Sequence, residues 1–274
     1  MELVTVNQET CNRDGRCAAV CPIGIITWSP GAFPVSVAGA EHACIRCGHC
    51  VAVCATGSMS HRDVPVTACP PVRPESRLDP DQCAHFLRAR RSIRVYRAQP
   101  VEREKLSQLI DMARYAPSGS NSQGVRWLVV GNRGELNRLA GIVVDWMRWL
   151  QAEMPAIAQG MHVRRSIERW NAGQDVILRG APALIIAYAG KDDRRAPATC
   201  TIALTTLELA AASLGLGGCW AGYFNAAAAV FPPLQAALGF PEGHQCYGAM
   251  MIGYPKFAYH RLPIRKSPRV DWRM

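Results

Sequence analysis

The chain has 274 residues, 49% of them hydrophobic, long enough for one domain or two and for a buried core. Its net charge of +10 is uneven: four basic and five acidic side chains leave −1 in residues 1–66, while 27 basic against 16 acidic leave +11 in the rest. No recognition motif or aromatic-interleaved basic stripe accompanies that excess, so nucleic acid is set aside in favour of an anionic cofactor or an acidic partner.

The first element is a cysteine run, CNRDGRCAAVCP at residues 11–22. In the iron–sulfur spacing C-x2-C-x2-C-x3-C-P, Cys11, Cys17 and Cys21 fill the first, third and fourth slots, Asp14 stands in the second, and Pro22 follows. A second run, CIRCGHCVAVC, completes the pattern with Cys44, Cys47, Cys50 and Cys54, with Ala55 where the proline would stand. Thiolates suit iron–sulfur clusters, whereas zinc knuckles need C-x2-C pairs at longer separation. The N-terminal MELVTVNQET lacks a charged-then-apolar export pattern, so metal ligation in a reducing cytoplasm is expected instead of a disulfide framework. Cys69, Cys83, Cys200, Cys219 and Cys246 have no ligand spacing. His42, His49 and His61 read as exposed loop residues, with hydrogen bonding to the clusters as the other reading.

Residues 1–66 resemble a bacterial two-cluster ferredoxin. In that family the fourth cysteine of each run ligates the other cluster. The resemblance therefore implies one four-iron cluster on Cys44, Cys47, Cys50 and Cys21, and another on Cys11, Cys17 and Cys54 with Asp14 in the open slot. A carboxylate holds such an iron less firmly than a thiolate. The second cluster is then a four-iron cluster weakly held by Asp14, or a three-iron cluster lacking that corner; Asp14 facing solvent is the remaining alternative.

Residues 67–87 read as a connector, since PVTACPPVRPESRLDPDQ (65–82) carries five prolines in eighteen residues. Beyond it, apolar spacing predicts helices over 101–115, through 135–179 with breaks at Gly160 and Gly173, and over 199–214. Strands are expected at 125–131, 181–190, 219–224 and 246–253. The mixture lacks strict alternation, which points to an α+β fold. The apolar stretch Ile202–Gly218 carries Glu208 and glycines, so no membrane span is expected. SLGLGG (213–218) closes a helix and leads into a strand, the reverse of a dinucleotide loop, so its glycines are read as a helix cap.

RARRSIRVYR (88–97) carries five arginines, whose forked guanidinium groups suit phosphate. With APSGSNSQ (116–123), GLGGCWAGYF (215–224) and IGYPKFAYHRLPIRK (252–266), it makes residues 88–274 resemble the nitroreductase family of flavoproteins. That resemblance implies an α+β fold, a homodimer and FMN at the subunit interface. Arg90, Ser92 and Arg94 match the N-terminal FMN contacts, with Arg91 the alternative if the register shifts. Pro117, Ser118, Asn121 and Gln123 match the turn at the flavin edge, although Gly124 replaces a common proline. Ala221 and Gly222 match the segment whose backbone N–H groups face flavin N5 and O4. Arg261 and Arg265 match the basic pair that reaches the phosphate. Trp146, Trp149, Met161 and Trp170 are candidates for lining the substrate pocket or for helix core.

Together the two resemblances imply an FMN-dependent oxidoreductase charged through its own clusters, with reduced ferredoxin or flavodoxin as donor. The acceptor is an electron-poor small molecule: a nitroaromatic, a quinone or an activated alkene. No catalytic side chain is nominated, because the chemistry lies at flavin N5. The alternatives are an electron carrier or redox sensor without its own substrate, and a flavin dehydrogenase that passes substrate electrons to ferredoxin.

Overall fold

The computed structural model describes residues 2–274 and divides into two compact units. The first comprises residues up to Arg77 together with Gly119–Ser122, and the second Leu78–Ser118 with Gln123–Met274.

The first unit is built from short pieces: β1 (Val4–Val6), α1 (Arg16–Ala19), β2 (Ile26–Thr27), β3 (Val35–Ser36), α2 (Ala40–Ala43), α3 (His49–Ala52) and β4 (Met59–His61). β1 pairs antiparallel with β4, Val4 opposite His61, and β2 with β3, Ile26 opposite Ser36. Helices of one turn cannot stand alone. They are held by a small core of Leu3, Val4, Ile25, Ile26, Val51 and Met59, against which Cys21, Cys44, Cys50 and Cys54 also pack.

The second unit begins with α4 (Pro80–Ala89) and α5 (Arg103–Ala113). α4 starts inside the stretch expected to be an extended connector. Asp79 and Gln82 form a reciprocal capping box and Pro80 occupies the first turn, so local chemistry favours a helix there. β5 (Arg126–Val130) follows, then the helical region expected with breaks, as three helices: α6 (Arg133–Glu153), α7 (Pro155–Gly160) and α8 (Val163–Asn171). α7 ends at Gly160, the expected break, with His162 at φ 55° ahead of α8; Gly173 lies just past the end of α8, and the further break at Met154, ahead of Pro155, was not expected. β6 (Ala183–Gly190), α9 (Ala196–Ala211), β7 (Gly217–Trp220), α10 (Gly222–Val230), α11 (Pro232–Leu238) and β8 (His244–Gly253) complete the unit. The strand expected over 219–224 ends at Trp220, because the alanine-rich GYFNAAAAV favours a helix. Gly215, with φ 70°, caps the helical turn that extends α9, as read from the sequence.

The four strands form one antiparallel sheet in the order β5-β6-β8-β7. Successive residues of β6 point to opposite faces. Leu184 and Ile186 pack with α6, α8, α10 and α11, whereas Ala183, Ile185 and Ala187 pack with α5 and α9. An antiparallel sheet covered by helices on both faces is the expected α+β class. α9 continues to Leu214 as a 19-residue run whose length and composition would suffice to cross a membrane. Here Cys200, Leu204, Leu207 and Ala211 are buried against the sheet.

Candidate functional site

Two small cavities in the first unit gather the ligand-type cysteines. One is lined by Cys21, Cys44, Cys47 and Cys50 with Ile25, Ile26 and His61. The other is lined by Cys11, Cys17 and Cys54 with Asp14, Ser58 and Met59. Each draws cysteines from both runs, the crossed grouping that the resemblance implied. In each cavity the thiols line one shared small space, which suits a multi-atom cluster.

The helices that present these thiols start at glycines in the left-handed conformation, Gly15 before α1 (φ 70°) and Gly48 before α3 (φ 71°). At Cys44, the thiol lies 3.4 Å from His61 Nε2 and accepts the Arg46 N–H at 3.4 Å. His61 is not the exposed loop residue expected: it is only 3% exposed at the end of β4. Its Nδ1 accepts the Asp63 N–H at 3.0 Å, which leaves the ring proton on Nε2, aimed at the Cys44 sulfur. Burial pushes the His61 pKa down, with Asp63 working in the opposite sense, in keeping with a neutral ring. In the other cavity Cys54 accepts the Met59 N–H at 3.4 Å and lies 3.6 Å from the Thr56 hydroxyl. Burial opposes ionisation of Cys54, but these hydrogen bonds outweigh it and hold the thiol below its usual pKa. Cys50, by contrast, is pushed up to about 11 by burial. Asp14 lines its cavity with both oxygens engaged by Arg16: Oδ1 accepts the backbone N–H at 3.1 Å and Oδ2 lies 3.2 Å from Nε.

In the second unit, Arg90 Nη1 donates to Glu208 Oε1 at 2.8 Å, and Glu208 is buried on α9. A buried carboxylate needs such a partner, and the bond uses one of the five N–H donors of Arg90. Arg91 differs: Nη2 donates to the Arg88 carbonyl, while Nε is buried with no hydrogen-bond partner. Both arginines line a cavity of about 830 Å³, together with His85, Gly215–Gly218 and Tyr259. Ser92, Arg94 and Arg179 surround Cys219. Burial pushes that thiol up, while the two arginines and a hydrogen bond from Ser92 pull it the other way.

Ser118 Oγ accepts the Gln123 N–H at 3.0 Å, which tightens the turn after Pro117. Asn121, in the segment that belongs to the first unit, donates its amide to the carbonyls of Ile45 (3.1 Å) and Arg46 (3.0 Å). Ala221 cannot offer the N–H expected of it, because pairing with β8 continues one residue past β7 and the Ala249 carbonyl accepts that proton at 3.0 Å. Gly222, the first residue of α10, has no intrahelical acceptor and presents the open amide. Arg261 and Arg265 lie exposed beyond β8, and Arg261 donates to the carbonyl of His260.

A further cavity, of about 1010 Å³, opens beside Tyr223. None of the four large side chains proposed from sequence lines it. Trp146 is core at 2% exposure, Met161 and Trp170 pack against the same core, and Trp149 is exposed near Phe231. Its walls carry His162, Arg164, Arg165, Arg169 and Arg179 instead. Sequence reading missed Arg179, Glu208 and Tyr223; the isolated arginine in VILRGAP and the lone glutamate inside an apolar helix were the available signals.

Comparison with known proteins bears on both units. The profile described as Nitroreductase family matches residues 87–254, and that of a 4Fe-4S dicluster domain matches residues 10–59. An Archaeoglobus fulgidus protein named as an NADH dehydrogenase/NAD(P)H nitroreductase is 26% identical over 181 residues, covering 64% of this chain and 87% of that protein. The 5,6-dimethylbenzimidazole synthase of Rhodospirillum rubrum is 27% identical over 198 residues, 67% of this chain and 85% of that protein. Among solved structures, a nitroreductase with bound FMN from Bacteroides fragilis aligns with a TM-score of 0.58 at 25% identity, covering 69% of this chain and 96% of that one.

Proposed function

Because the chain belongs to the nitroreductase family and carries a 4Fe-4S dicluster domain ahead of that region, we propose that it is an FMN-dependent oxidoreductase. It takes in electrons through its own iron–sulfur clusters and reduces an electron-poor small molecule, a nitroaromatic, a quinone or an activated alkene. The observation that carries this reading is the pair of thiol-lined cavities in the same chain as a nitroreductase-type unit. When bound, the clusters pass single electrons and the flavin delivers them in pairs.

Cys21, Cys44, Cys47 and Cys50 hold one cluster, and Cys11, Cys17 and Cys54 hold the other. With Asp14 engaged by Arg16, we assign the second site three irons. FMN suits the second unit by its donor chemistry. The unpartnered Arg91 Nε, with Ser92, Arg94, Arg261 and Arg265, supplies positive charge and donors for the phosphate and pyrimidine, and Arg90 steadies that wall through Glu208. Gly222 offers its amide to the N5 and O4 edge, where a fixed donor favours the reduced ring. Pro117, Ser118 and Gln123 supply the turn beside the ring, as in the family resemblance. A homodimer in a reducing cytoplasm, with reduced ferredoxin or flavodoxin as donor, completes the proposal.

The test is iron and flavin per chain in anaerobically purified protein, followed by turnover with a nitroaromatic under reduced ferredoxin. Roughly seven irons with one FMN and ferredoxin-driven turnover are expected, and eight would return the Asp14 site to a four-iron cluster. Iron without flavin overturns the reductase reading. Turnover from NADH alone, with ferredoxin inert, overturns the electron route.

A further inference from the structure

The cavity beside Tyr223 carries more positive charge than its surroundings balance. Four arginines and His162 line it against a single acid, Glu168. Glu168 is already engaged, accepting from Arg164 Nε at 3.0 Å, and Arg169 Nε donates to the neutral amide of Gln174 at 2.9 Å. Among the described residues Arg165 and Arg179 have no hydrogen-bonded or ion-paired partner. Arg165 and Arg169 stand four apart on α8, a like-charge spacing that costs a helix stability. Arg164 and Arg165 lie in the first turn, where the positive end of the helix dipole opposes them and no acidic residue compensates.

The backbone also holds one of these cations in an unfavourable conformation. Arg179 has φ 57°, in the left-handed region that a side-chain-bearing residue adopts at a cost. Asp175 maintains it by accepting the N–H groups of Ile177, Leu178 and Gly180 at 2.8 to 3.0 Å. At the cavity floor, buried Ser166 donates to the Tyr223 hydroxyl at 3.3 Å, which donates to the Met161 carbonyl at 3.0 Å. Tyr223 directly follows Gly222, so the cavity adjoins the amide assigned above to the flavin edge.

We propose that this cavity seats an anionic group, a carboxylate or phosphate, on a molecule that exchanges electrons with the flavin. This rests on the FMN reading above and adds a substrate class to it: an electron-poor acceptor bearing a negative charge. The same chemistry would take the pyrophosphate of a nicotinamide donor, and the two sources are separable.

The experiment compares holoenzyme with its Arg165→Gln and Arg165→Lys variants. It measures calorimetric Kd and KM for 4-nitrobenzoate, for neutral 4-nitrobenzamide and for NADH. Arg165 is exposed and has no assigned part in FMN binding, so flavin content is expected to be unchanged. Arg165→Gln is expected to weaken 4-nitrobenzoate about tenfold, the scale of one charge-assisted contact. Nitrobenzamide stays unchanged, and Arg165→Lys retains most of the preference. A loss confined to NADH supports the anion site and assigns it to the donor's phosphates. Equal effects on the benzoate and the amide, with NADH unaffected, overturn the proposal. A flavin-free but folded protein defeats the FMN reading separately, while calorimetry with 4-nitrobenzoate still reports on the cavity.

Discussion

The two cysteine runs share one spacing, yet they fold into unlike surroundings. The cavity of Cys21, Cys44, Cys47 and Cys50 has a buried imidazole aimed at a sulfur, and burial raises one of its thiols to about 11. The cavity of Cys11, Cys17 and Cys54 has an engaged carboxylate in place of a thiol, and a cysteine whose pKa is held down by hydrogen bonds. A duplicated motif therefore specifies where ligands stand, while the residues between and after them decide how each site behaves. Hydrogen bonds to cluster sulfurs raise reduction potentials by stabilising the more negative reduced form.

The largest test breaks the crossed grouping. Cys21→Ser is expected to remove roughly four irons, those of the Cys44, Cys47 and Cys50 site, while Cys11→Ser empties the other. Electron paramagnetic resonance of the two variants distinguishes the signals, and the opposite assignment would end the crossed pairing. Next come the glycines. Alanine at Gly15 or Gly48 pays about 1–2 kcal/mol for the left-handed conformation. At Gly15 the new methyl would also meet the Trp28 ring at 2.5 Å, against 3.3 Å to Val64 at Gly48. Such overpacking adds about 1–3 kcal/mol, so Gly15→Ala is expected to unfold the first unit at lower denaturant than Gly48→Ala. Equal midpoints would mean the indole simply moves aside.

His61→Phe removes one N–H···S contact and is expected to lower the potential of the Cys44 cluster alone by roughly 59 mV, a tenfold change in its one-electron equilibrium. A redox titration that moves both clusters, or neither, contradicts the geometry. The smallest effect is a single iron. Asp14→Cys frees Arg16 and restores a thiolate, so iron per chain is expected to rise from roughly seven to eight, with loss of a three-iron signal. A wild-type count of eight would show that the aspartate yields to iron despite Arg16.

Cysteine spacing was the most legible part of the sequence, because ligand chemistry fixes residue type and interval together. The sheet was nearly as plain: the apolar strand at 181–190 survives in β6, buried along most of its length. Local pattern failed where a distant residue decides. The bond from Arg90 to Glu208, 118 residues along the chain, could not be read from either local stretch. His61 reads as a loop residue until β1 pairs with β4 and buries it. The tryptophans were open to two readings, pocket wall or helix core; α6 turns Trp146 into the core, and the broken helical region gives the cavity to arginines instead. Arg179 was invisible because its placement depends on a loop tied by one aspartate.

The crossing of cysteines between the two cavities also sets an order of events during synthesis. The cavity that uses Cys21 waits for Cys50, and the one that begins with Cys11 waits for Cys54. No shorter nascent chain carries the full cysteine set of either cavity, and the two sets become complete within a few residues of one another. Because metal binding in small domains is itself folding free energy, loading of the two sites would stabilise the N-terminal unit together, once Cys54 has been made.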